Sequence, residues 1–216
     1  MHKITLIGTA HNESRLCNAE ELLKILRVFD PEVVFEEFRP GRFNSLYERG
    51  NLEAHAIKKF REFKSFQEVP VDTFDMPENL EVEMGRVYDC VKRASQEYRE
   101  LKQVLFEEEY RYGFEYLNSA ICGKLIAKLC EIEDKTIIET GDKDLIRVLE
   151  KWRKVIQSLE LEMVRNIYEY CGRNAFNTGV LLVGAAHKRG IVKEIQKFSV
   201  TEADLINWTF AFSQNA

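Results

Sequence analysis

Apolar residues in this chain fall into short continuous runs separated by longer stretches in which they recur every three or four positions, the alternation expected where strands and helices take turns. Ile4 to Gly8 is an apolar run closed by glycine. Asn18, with Glu21 three residues later, makes a helix-start signature ahead of Leu22, Leu23, Leu26 and Phe29 at helical spacing. Pro31 then leads into Val33-Val34-Phe35-Glu36-Glu37, a second strand of the buried type. This succession predicts a βαβ unit with parallel strands and a right-handed crossover.

Two short helical patterns follow Pro40-Gly41, one through Tyr47 and one from Leu52 to Phe63, before Val69-Pro70-Val71-Asp72 predicts a third strand. Pro70 cannot donate to a ladder, which puts that strand at an edge or Pro70 at its start. From about residue 77 to 172 long apolar side chains at three-to-four spacing alternate with charges, with breaks near Gly113 and at Thr140-Gly141-Asp142. Thr178 to Gly184 returns to the strand pattern, Ile191 to Phe198 reads as a helix, and Leu205 to Phe212 as a last strand. No linker or low-complexity segment divides the chain. The expectation is one α/β domain over residues 1–216, with a mainly parallel central sheet flanked by helices. A large helical insertion precedes the last core strands and could serve as a cap or as the surface of a homodimer.

Composition narrows the function classes. A net charge of -5 gives no cationic field for a phosphate backbone, so nucleic acid is not an expected partner. The five cysteines, Cys17, Cys90, Cys122, Cys130 and Cys171, include no Cys-x-x-Cys pair and read as reduced thiols. The apolar runs fall far short of the roughly 20 residues that span a bilayer. Met1-His2-Lys3 passes at once into Ile4, leaving no room for a signal peptide. A cytoplasmic protein without membrane contact is the expectation.

The candidate chemistry lies in a repeated segment. Leu6-Ile7-Gly8-Thr9-Ala10-His11 and Leu182-Val183-Gly184-Ala185-Ala186-His187 agree at four of six positions, both close an apolar strand, and they hold two of the four histidines. Loops at the carboxyl ends of parallel strands line the crevice where ligands bind, so the two histidines can meet there. Glu36 and Glu37 end the second strand and Asp72 follows the third. Because side chains alternate along a strand, only one of Glu36 and Glu37 can face the site. Two imidazoles and a carboxylate make a three-ligand set with an open position for activating water; zinc, manganese, iron or cobalt would all suit it. Without a metal, a histidine or glutamate can act as general base. A single histidine at a strand end is more often structural, and the duplication is what singles these two out. His55 reads as structural and His2 as an exposed terminus. Glu107-Glu108-Glu109 reads as a solvated helix face; Gly123-Lys124 lacks the glycine of a phosphate loop, and no Gly-x-Ser-x-Gly elbow occurs.

These segments resemble the TraB/PrgY proteins and the wider group containing Tiki metalloproteases, erythromycin esterases and haem-binding ChaN proteins. Leu6 to Ser14 is similar to that group's Gly-Thr-x-His strand end, and Pro31 to Phe38 followed by Arg42 to its Pro-Asp-x-Val run ending in Glu-Leu. Arg165-Asn166 resembles its Arg-Asn helix, and Gly184 to Ile191 its closing Gly-x-x-His-x-x-Gly-Ile. The resemblance implies that His11, Glu37, Arg165 and His187 share one pocket and selects Glu37 over Glu36. It gives Arg165 a role in clamping a substrate carboxylate, stabilising an oxyanion or holding Glu37. The chain departs at Asn12-Glu13, where the group has Val-Ser, which makes Glu13 an additional ligand or base candidate; Val164 stands where an acid is common. The leading expectation is a metal-dependent hydrolase of a peptide, amide or ester through His11, Glu37 and His187. The alternatives are a protein that sequesters a peptide or haem without turnover, and a metal-free esterase-like enzyme.

Overall fold

The structure, a computed structural model, describes residues 1–201 and 205–212. In chain order the elements are β1 (His2–Thr9), α1 (Ala19–Phe29), β2 (Val33–Glu36), α2 (Phe43–Glu48), α3 (Leu52–Phe60) and β3 (Gln67–Pro70). There follow α4 (Leu80–Ala94), α5 (Gln96–Leu117), α6 (Ala120–Thr140), α7 (Lys143–Cys171), β4 (Thr178–Gly184), α8 (Lys188–Thr201) and β5 (Ile206–Phe210). Among the described residues the strands form one sheet in the order β3-β2-β4-β1-β5, with every pairing parallel. The chain is α/β, as its pattern predicts, and β3, which carries Pro70, is an edge strand.

The central strands β2 and β4 and most of β1 are apolar because both faces of the sheet are covered there, while the edge strand β3 carries Gln67 and Glu68. Ile7, Val34, Val180 and Leu182 pack on one face with Leu22 and Leu26 of α1 and Ile57 and Phe60 of α3. Leu6, Phe35, Leu181 and Val183 pack on the other with Met163 and Ile167 of α7 and Ile191 of α8. Helices α4 to α7 build a third core of their own, around Leu80, Met84, Val91, Ile132 and Leu149. The long α7 joins the two: Leu145 to Val155 belong to the helical core and Leu159 to Cys171 to the sheet. No described helix is long and apolar enough to cross a membrane, and all five cysteines are free thiols.

Several boundaries differ from the pattern. β1 begins at His2, which is buried, with Nδ1 2.7 Å from the Phe176 carbonyl and Nε2 3.1 Å from that of Cys171. His2 is therefore not an exposed terminus, because the ladder to β5 starts at that residue. The helical block has two breaks that the periodicity does not show, at Ser95 and Ser119, where each serine caps the next helix through its hydroxyl. Near Gly113 the expected break is a kink inside α5, with φ 56°; a Cβ there would lie 2.2 Å from the Leu16 carbonyl oxygen. Only glycine lets α5 close onto the loop that follows β1.

Glu36 points into the α1/α3 side with one carboxyl oxygen unpartnered, and burial, reinforced by Glu68 against Arg61, pushes its pKa up from 4.5 to about 8. A carboxyl raised in the folded state binds a proton that the unfolded chain has released, so stability falls as pH rises through that window, by about 1.4 kcal/mol per pH unit. Urea denaturation at pH 5, 6, 7 and 8 should show the wild type losing stability relative to Glu36→Gln across this range.

Candidate active site

β1 and β4 are neighbours with Thr9 level with Gly184, so the two Gly-x-x-His segments leave the sheet side by side. The Ala185 N–H donates to the Thr9 carbonyl at 2.9 Å and carries the contact past the strands. The copies are staggered by one residue, since Gly8 pairs with Val183. The two glycines consequently meet different groups. A side chain on Gly8 would press on Asn118 Oδ1 at 3.3 Å, whereas one on Gly184 would stand 3.4 Å from Glu37 Oε2 and 3.6 Å from His11 Nε2. A methyl group on Gly184 would occupy the space between carboxylate and imidazole.

Glu37 follows directly on β2, where its N–H donates to the Leu182 carbonyl at 3.2 Å and its Oε2 accepts the Gly184 N–H at 2.5 Å. Its Oε1 lies 3.2 Å from His187 Nε2. The other nitrogen of His187, Nδ1, lies 3.0 Å from Glu160 Oε1 on α7. His11 is held in the same way: its Nδ1 lies 3.2 Å from Glu53 Oε1 at the start of α3, an oxygen that also accepts the Thr9 hydroxyl at 2.7 Å. Leu52 N–H donates to the His11 carbonyl at 3.1 Å, fixing α3 against that loop. Each imidazole thus has a buried carboxylate on Nδ1, the arrangement that fixes a ring and leaves Nε2 for a ligand.

Charge follows from this packing. Burial pushes the Glu37 carboxyl up, opposed by His187, the Gly184 N–H and His11. Burial works to lower His187, but the Glu160 hydrogen bond and the Glu37 and Glu160 charges outweigh it and hold the ring above its ordinary value. The Glu53 hydrogen bond, against desolvation, pushes His11 up to about 9; with 57% of its side chain exposed, solvent screens that pairing.

The expected site residues separate. His11, Glu37 and His187 come together, and Glu36 turns to the opposite side of the sheet. Asp72 lines the same cleft but pairs with Arg39 at 3.7 Å and accepts the Phe74 N–H. Glu13 accepts the Ala19 N–H at the entry to α1. Arg165 stays on the exposed side of α7, 3.8 Å from Glu169. At about 100° per residue it lies about 140° round the helix from Glu160, the α7 residue that does reach the site. Asn166 beside it ties α7 to the loop after β3 through the Val71 carbonyl and the Thr73 hydroxyl. His55 is structural, with Nε2 2.9 Å from the Tyr47 carbonyl.

Three site residues were not picked out from the sequence: Glu53, Glu160 and Asn118. Glu53 and Glu160 pass for solvated acids on amphipathic helices. Their signal is placement on the apolar stripes, Glu53 beside Leu52, Ile57 and Phe60 and Glu160 in line with Met163, Val164 and Ile167. Asn118 follows α5 and binds both ends of Gly8, accepting its N–H at 2.7 Å and donating to its carbonyl at 2.9 Å. Lys188 donates to the Asn118 carbonyl at 2.7 Å, so one asparagine fastens both copies of the motif. Gly190, one helical turn after His187, makes room for Glu160: a Cβ there would lie 1.8 Å from Glu160 Oε2.

The pair Glu37 Oε1 and His187 Nε2 has the separation of two ligands on one ion, since bonds of about 2.0–2.1 Å at a tetrahedral angle put donors about 3.3 Å apart. Among the described residues no three His, Cys, Asp or Glu side chains form a group that could hold a metal ion, and His11 is the donor outside that pair. The donor chemistry, two imidazole nitrogens and a carboxylate, fits a divalent cation. The site opens on a cleft of about 1890 Å³ between the strand ends and helices α4 to α8. No family model matches the chain, and no curated protein or solved structure matches it significantly.

Two outcomes follow. Asn118→Ala leaves the buried Gly8 N–H without its partner and should cost about 1–3 kcal/mol in urea denaturation. Gly190→Ala should displace the Glu160 carboxylate and, like Glu160→Gln, lower the His187 pKa in an NMR titration, because the hydrogen bond that raises it is gone.

Proposed function

We propose that this protein is a hydrolase of the peptidase, amidase or esterase type that uses His11, Glu37 and His187 with a divalent metal ion. The observation that carries the reading is the contact of His187 with the buried Glu37 at the carboxyl ends of parallel strands, with His11 on the other side of the space at Gly184 and each imidazole backed by a buried carboxylate. The resemblance of the two Gly-x-x-His segments and of the strand ending in Glu37 to the Tiki and TraB/PrgY group supports it. An ion held by these three side chains would supply Lewis acidity and make water a nucleophile near neutral pH. Glu53 and Glu160 hold the rings with Nε2 toward the cleft, and Thr9 keeps Glu53 in place. Gly184 keeps side-chain atoms out of the space between His11 and Glu37. Five free thiols fit a reducing, cytoplasmic setting.

The direct contact between Glu37 and His187 favours a second, metal-free reading. Glu37, raised toward the working range of a general base, takes the proton of the attacking water. The protonated His187 gives its Nε2 proton to the leaving group as the carbon–nitrogen or carbon–oxygen bond breaks.

Protein purified without chelator should carry one divalent ion by elemental analysis, and His11→Ala or His187→Ala should each lose it. On a panel of model esters and amides Glu37→Gln should lower kcat by about a hundredfold or more. Metal-free wild type with undiminished hydrolysis would overturn the metal reading in favour of the second, and no hydrolysis by metal-loaded protein would overturn both.

A further inference from the structure

The cleft is larger than the roughly 300–1,000 Å³ of a small-molecule site, so a ligand filling it extends well past the histidines. Its walls do not share the charge of the chain. Eight acids and eight Lys or Arg side chains line it, in a protein with net charge -5. Five of the acids have a partner: Glu37 and Glu160 share the single charge of His187, while Asp72 pairs with Arg39, Glu133 with Arg153 and Glu194 with Lys197. Among the lining cations only Arg39 and Arg153 are in ion pairs. Arg42, Lys92, Arg99, Lys102, Arg189 and Lys193 make none, against the three remaining acids Glu81, Asp89 and Glu109.

The unpaired cations stand on two walls. Arg99 Nη1 donates to the Lys92 carbonyl at 2.6 Å, which brings the end of α4 against the start of α5, and Lys102 is one turn further along. Arg189 and Lys193 are one turn apart on α8, which begins immediately after His187, and Arg42 lies beyond Glu37. Six cations against three acids, one of which, Glu109, feels the charge of Lys102, leave an excess of positive charge around a concave space, which costs self-repulsion and focuses a positive potential there. An anionic ligand repays that cost.

We propose that the cleft recognises a substrate carrying an anionic group, a carboxylate or a phosphate, away from the bond that reacts. The inference rests on the hydrolase reading for the word substrate alone, since none of the six cations without an ion pair belongs to the His11, Glu37 and His187 site.

The test is calorimetric binding of three capped trialanine amides that differ only in the cap, acetyl, succinyl or phosphoseryl, at low ionic strength. The succinyl or the phosphoseryl probe should bind about tenfold tighter than the acetyl one, and which of them leads identifies the source of the charge. The preference should shrink with added salt. It should fall in Lys92→Ala/Lys102→Ala or in Arg189→Ala/Lys193→Ala, and persist in His11→Ala. Equal binding of the three probes, no binding at millimolar concentration, or a preference unchanged in both double variants would overturn the inference. Anion preference without turnover would leave it standing and count against the hydrolase, while turnover without preference would do the reverse.

Discussion

The candidate site depends first on the parallel pairing of β1 with β4, two strands about 170 residues apart in the chain. That ladder puts Thr9 level with Gly184, and the one-residue stagger of the motif gives its two glycines separate duties. Gly8 admits Asn118, and Gly184 leaves space between His11 and Glu37. Were the strands not neighbours, the repeated motif would be two unrelated strand ends. β2, on the other side of β4, then delivers Glu37 from the third direction.

The second constraint is the bridge made by α7. Its first half is part of the helical core and its second half covers the sheet, and Glu160 sits where the change occurs. The carboxylate that orients His187 is thus carried by the element that fixes the helical wall of the cleft. From that wall Glu160 packs against Gly190 and holds Nδ1 of His187. Asn118, at the end of α5, makes a second such link to Gly8 and Lys188.

Buried carboxylates give the site its chemical character. A carboxylate out of water is costly unless it is paired, and here Glu53 and Glu160 are paired with imidazoles and Glu37 with an imidazole and a backbone N–H. Each ring is held at Nδ1 by its carboxylate, and Nε2 of His187 faces Glu37. The same balance leaves the outer cleft with more free cations than free acids.

Local pattern determined much of this protein. Apolar runs and helical spacing placed the strands at 4–8, 33–37 and 178–184 and the helices around them, because strands buried on both faces and helices with one apolar stripe have distinct periods. Repetition within the chain marked His11 and His187, and alternation along β2 separated Glu36 from Glu37. Tertiary structure alone decided what met them. Glu53, Glu160 and Asn118 lie on or after helices whose local pattern gives an acid or an amide no reason to be buried, and they gain partners only when α3, α5 and α7 close on the sheet. Arg165 shows the converse, since its neighbourhood in sequence resembles a functional helix while the rotation of α7 leaves it in solvent. The candidate site residues His11, Glu37 and His187 are written in short-range pattern; those that hold them are chosen by packing between distant segments, which leaves no periodic trace.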